Sequence, residues 1–120
     1  MQAGHVQEAT TGIKELIDAL GRSEKRALKS HLVRLMAHII KWKTQADKRS
    51  HSWVATIYSA REEITDIQAE TPSLTEVVIR DLWDKCFQAA VREAEGDMNQ
   101  FSSVSALSWK EVFEETYEKG

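Results

Sequence analysis

The sequence predicts an all-α fold, a compact helical bundle of four main helices plus a short C-terminal helix, and three observations carry that reading. Apolar residues recur at three- and four-residue spacings through every long segment. Breakers are scarce, with one proline and five glycines in 120 residues. A hydrophobic fraction of 42% beside a charged fraction of 29% supplies a core and solvated helix faces, which argues against a disordered chain. The length suits one core and is too short for a catalytic domain beside a binding domain. Residues 1–120 therefore read as a single domain, with 1–10 expected as a poorly ordered N-terminus.

The first helix is read from Ile13, Leu16, Ile17 and Leu20, spaced so that all four fall on one face, with Gly21 as its left-handed stop. Ser23 is the expected cap of the second, which carries Leu28, Leu32, Leu35, Met36, Ile39 and Trp42 along one side and runs to about Thr44. After the polar run Gln45 to Ser50, a third helix resumes with Trp53, Ile57, Ala60, Ile64 and Ile67 at alternating steps of four and three. Thr71 and Pro72 read as a cap and first turn, because proline at the first helical position gives up only an amide that would lack a partner anyway. The fourth helix, expected from Pro72 to about Glu95 with Gly96 at its end, spreads Val78, Ile79, Leu82, Trp83, Cys86, Phe87 and Ala90 over a wide arc, which suggests a central position. The Ser-rich stretch that follows is expected to be pinned by Met98, Phe101 and Leu107. Ser108-Trp109-Lys110-Glu111 has the form of a capping box, and Val112, Phe113 and Tyr117 would dock the last short helix.

Four segments in order carry a family resemblance: Leu20-Gly21-Arg22-Ser23-Glu24, His38-Ile39-Ile40-Lys41-Trp42, Arg49-Ser50-His51-Ser52-Trp53 and Pro72-Ser73-Leu74. Together they resemble the bacterial domain-of-unknown-function family 29, common in cyanobacteria, over roughly residues 13 to 117. The resemblance implies an α-helical bundle; it brings no assigned function.

Charge is strongly segregated along the chain. From Gly21 to Ser50, nine basic residues face two acids, a formal +7, whereas from Glu62 to Gly120 fourteen acids face five bases, a formal −9. The net −3 conceals this asymmetry, which fits either a basic surface for phosphates or acidic partners, or pairing inside the bundle. Arg22, Lys25, Arg26 and Lys29 form a candidate basic face near the start of the second helix. Lys41, Lys43, Lys48 and Arg49 gather at its end, about 24 Å further along at 1.5 Å per residue. The acidic overall balance and the lack of a helix-turn-helix, zinc-finger or RNA-module signature weigh against a dedicated nucleic-acid domain.

Chemistry-bearing residues are few. His31 and His38 lie two turns apart, about 10 Å, too far to share a metal without ligands from another helix, and no metal or cofactor is expected. Cys86, the single cysteine, has apolar neighbours in register and reads as a buried, inert thiol. His38, Lys41, Arg49 and Ser52 form a candidate anion-binding or functional corner, where Arg49, a serine hydroxyl and free amides at a helix start could hold an anion. The bland reading of that corner has Ser50 or Ser52 capping the third helix, Arg49 pairing with an acid such as Glu63, His38 bonding an acceptor from the next helix, and Trp42 and Trp53 in core contacts. No signal peptide and no apolar span of membrane length is seen, so a cytoplasmic protein is expected.

The function read from these residues is a non-catalytic protein-interaction module or subunit, with a protein partner or a second copy as its target. A nucleic-acid-associated accessory subunit using the basic helix 22–43 is the alternative, and an anion-binding or enzymatic site at the 38–53 corner is the third reading.

Overall fold

A computed structural model describes the backbone of residues 2–119 and the side chains of residues 21–119. Helix α1 spans Gln2–Thr44, a 3-10 turn covers Ala46–Lys48, α2 spans His51–Glu70, α3 spans Glu76–Met98, and one π-helical turn covers Lys110–Glu114. The described residues are helix and connecting chain without strand, the all-α bundle that periodicity predicts. The expectations for residues 1–10 and for the Ile13, Leu16, Ile17 and Leu20 stripe fall outside the described side chains.

Three expected boundaries move, each for a physical reason. Gly21 does not stop a helix and Ser23 does not cap one: α1 runs through both, and Gly21 has no positive φ. A helix-interior glycine costs only about 1 kcal/mol relative to alanine, an amount that tertiary packing readily offsets. Pro72 opens a turn instead of a helix. Leu74 N–H donates to the Thr71 carbonyl at 2.9 Å, and α3 begins at Glu76 after Thr75. Proline's fixed φ serves the second position of such a turn as well as a first helical residue. Gly96 lies inside α3, which ends at Asn99 in the left-handed region with φ 53° and ψ 41°. Asparagine tolerates that conformation better than other side chains. Asn99→Ala is expected to destabilise the protein by about 1 kcal/mol and Asn99→Gly to leave it unchanged or firmer, as read from urea midpoints.

The short connection after α1 folds α2 back antiparallel, bringing Trp53 beside Lys41. Helix α3 instead runs parallel to α1: Lys41 meets Asp97, and the first turns of α3 lie beside residues 22–29. Helices α2 and α3 both pack mainly on α1. The wide apolar arc of α3 therefore reflects its contacts with α1 and the C-terminal segment, and α1 takes the central place. Leu28, Leu32, Leu35, Met36, Ile39 and Ile40 of α1, Ile57 and Ile64 of α2, and Ile79 and Cys86 of α3 are almost wholly buried. Burial pushes the Cys86 thiol above its usual range, against the opposing charges of Lys29 and Lys85.

Residues 100–119 form a strap that ties the helices together. Trp83 Nε1 donates to the Leu107 carbonyl at 3.0 Å. Arg61 Nε donates to the Val112 carbonyl at 2.8 Å, and Tyr117 packs edge-on against Trp42 with centroids 5.7 Å apart. Val112, Leu107 and Tyr117 are buried, as expected, but Phe101 is 88% exposed and pins nothing. The Ser-rich stretch is held by polar contacts: Ser102 N–H donates to Glu95 Oε2 at 2.8 Å, and the Ser102 and Thr44 hydroxyls are 2.8 Å apart. The capping box forms, with Ser108 N–H donating to Glu111 Oε1 at 2.9 Å and Glu111 N–H to Ser108 Oγ at 3.1 Å.

Burial alone would raise the Glu111 carboxyl, but hydrogen bonds from Lys43 and Ser108 and the Lys43 charge outweigh it and hold the carboxyl below its ordinary 4.5. A carboxyl depressed in the folded state contributes stability that is present above the unfolded value and lost as pH falls through the folded one. The stability gap between wild type and Glu111→Gln is therefore expected to be present at pH 7 and to close below about pH 4.5, as urea melts at the two pH values would show.

Candidate functional site

The row 22, 26, 29, 33, 36, 40 of α1 advances by steps of four and three and so lies along one side of the helix. Its later members Met36 and Ile40 are buried and Val33 is half-buried, whereas the first three are Arg22, Arg26 and Lys29. One helix face thus changes from apolar to cationic. At the cationic end, Arg22, Lys25, Arg26 and Lys29 line an open groove of about 300 Å³ against Leu82 and Lys85 of α3. No carboxylate is among the described lining residues.

The four α1 cations were legible as one face; Lys85 and Leu82 were not. They join the site only because α3 runs parallel to α1, which brings residues more than fifty positions apart side by side. Among the described residues the ion pairs are Lys41 with Asp97, Lys43 with Glu111 and Arg80 with Glu76. The five groove cations take part in none of them. Gathered around one groove, these mostly exposed like charges give it a positive local potential.

Of the four cations at the other end of α1, Lys41, Lys43 and Arg49 have partners within the bundle and Lys48 is exposed. Lys41 is buried, its Nζ 3.1 Å from Asp97 Oδ2 and 5.7 Å from the centroid of Trp53. Arg49 Nε donates to the Trp42 carbonyl at 3.0 Å, and its guanidinium lies 4.5 Å above the Trp42 ring. Arg49 therefore covers the open C-terminal end of α1 and pairs with Trp42 instead of Glu63. Ser50, not Ser52, caps α2 by accepting from Trp53 N–H at 3.1 Å, and Ser52 is exposed. The half-buried His38 donates Nδ1–H to the Arg34 carbonyl at 2.9 Å, so its partner is its own helix and not the next one. Burial lowers the His38 imidazole below its ordinary 6.5; the Arg34 carbonyl opposes this, and the charges of Lys41 and Arg34 add to it.

A second concave surface lies where α3 meets the strap. Trp83 and Trp109 stack at 5.6 Å, Phe113 lies 4.5 Å from Trp109, and the Arg80 guanidinium is 4.4 Å above the Trp109 ring. These groups are half-buried packing of the strap, with Arg80 also paired to Glu76. Among the described residues no cluster of three His, Cys, Asp or Glu is placed to hold a metal ion, and no helix is long and apolar enough to cross a membrane.

No curated protein and no solved structure matches the chain. A family model does match, over residues 9–118, nearly the full length and including every residue of the groove. That near-complete match places the chain in the family described as domain of unknown function DUF29, to which it belongs.

Proposed function

We propose that this chain is a non-catalytic protein-interaction module that docks on an acidic surface of a partner protein through the α1–α3 groove. The observation that supports this reading is the cation set itself: Arg22, Lys25, Arg26, Lys29 and Lys85 line one groove with no carboxylate among the described lining residues, while Lys41, Lys43 and Arg49 each have a partner elsewhere in the bundle. Complementary charge steers encounter and selects partners more than it sets affinity, so docking would be fast and sensitive to salt.

The test uses the full chain, immobilised, against a glutamate-rich peptide of about ten residues and an extract of the native host. Salt-sensitive retention is expected for wild type, weakened at least tenfold by Lys25→Glu with Lys29→Glu. Equal retention by wild type and variant would remove the groove from the reading. Retention that disappears on nuclease treatment would assign the surface to the alternative, a nucleic-acid-associated subunit, in which neutralised phosphates impose a steep salt dependence.

A further inference from the structure

We infer that the α1–α3 groove is a binding site for a short chain of phosphoryl groups, a di- or triphosphate, which occupies it in competition with the acidic partner. This rests on the reading of the groove as an anion site and adds the chemistry of a small ligand.

Two features favour phosphoryl groups over carboxylates. The first is charge density. Arg22 to Lys29 spans only about 10 Å at 1.5 Å per residue, and Lys85 of α3 lies across from them, so five cations against Glu24 are gathered over less than two turns. Carboxylates on one face of a partner helix recur every three or four residues, roughly 5 Å apart, and set two or three charges against that length. Linked phosphoryl groups concentrate more charge in less length.

The second is donor geometry. Arg22 and Arg26, one turn apart, offer planar forks that bind two oxygens of one phosphoryl group, while Lys25, Lys29 and Lys85 offer point charges that adjust to the rest. Among the described residues, Leu82 gives the lining one apolar contact beside the cations.

The apolar-to-cationic change along the α1 row gives these cations their meaning. A solvated helix face carries charge where nothing faces it. Here the basic positions continue the row that buries Met36 and Ile40, at the level where Leu82 and Lys85 stand opposite. Apolar residues at 22, 26 and 29 would extend the packed row; arginine and lysine there leave a lined groove.

The test is calorimetric titration of the full chain with inorganic tripolyphosphate, and separately with the glutamate peptide, at low and moderate salt. The expected result is one-to-one tripolyphosphate binding, at least tenfold tighter than the peptide, and displacement of bound peptide by tripolyphosphate. Lys29→Gln and Lys85→Gln, one from each helix, should each weaken tripolyphosphate at least fivefold, while Lys48→Gln leaves it unchanged. Circular dichroism of each variant should match wild type. Peptide binding without tripolyphosphate binding overturns the inference and leaves the docking reading standing; no binding of either ligand overturns both. Binding weakened equally by Lys48→Gln and Lys85→Gln would show diffuse attraction to a charged surface and would overturn the site.

Discussion

Trp42→Ala is expected to lower the folding free energy by about 3–5 kcal/mol, the range for truncating a buried tryptophan. Trp42 is 7% exposed and joins three parts of the protein at the end of α1. Its ring meets the edge of Tyr117 in the strap and lies under the Arg49 guanidinium, while its carbonyl accepts from Arg49 Nε. Alanine would keep the carbonyl but remove the surface on which both neighbours rest. The loss therefore combines transfer of the indole, the cavity it leaves and the cation–π contact, against a total stability of about 5–15 kcal/mol for such a domain. A second readout separates this corner from general loosening: limited proteolysis after Glu115 should accelerate in Trp42→Ala and stay near wild type in Trp42→Phe. A midpoint shift equivalent to less than about 1 kcal/mol would show that the corner is held by its backbone contacts alone.

Leu35→Ala is expected to cost about 2–5 kcal/mol, since Leu35 has no exposed surface and sits midway along the buried part of α1. Because α2 and α3 both pack on α1, a void there weakens two interfaces together. Leu35→Met should cost under about 1.5 kcal/mol, as the volume is nearly kept. The pair is read from urea midpoints at unchanged slope; equal losses would mean that shape rather than volume governs this position.

Much of the interior was legible because burial follows the helical period closely. Ile57, Ala60, Ile64 and Ile67 fall on one face of α2 in the sequence, and all four are buried. The capping box at Ser108 was equally plain, since its two hydrogen bonds lie within four residues. Boundaries were less legible, because glycine and proline signals are shared between structures. Gly21 and Gly96 can end a helix or lie within one, and the φ of Pro72 suits a turn as well as a helix start. The groove was half legible for a different reason. Four of its cations share a helix face, but Lys85 depends on the direction and register of α3, which the lengths of two connections determine and no local pattern states. The corner at Arg49 shows the converse: its charges were visible, while their engagement by Trp42, Asp97 and Glu111 depends on chain that arrives from far along the sequence.

The parallel pairing of α1 with α3 also bears on the order in which the chain assembles. The α1–α2 hairpin closes across a connection of a few residues, whereas Lys41 and Asp97, which mark the α1–α3 pairing, are 56 residues apart. Closing the longer loop costs more chain entropy, and contacts of large sequence separation slow folding. The hairpin is thus the natural nucleus and α3 the later arrival, with the strap settling last on surfaces the others supply. On that order, substitutions in the α1–α2 interface slow folding, and those at Trp83, Val112 or Tyr117 act chiefly by speeding unfolding. The groove, being built from α1 and α3 together, exists only in molecules that have completed the slow step.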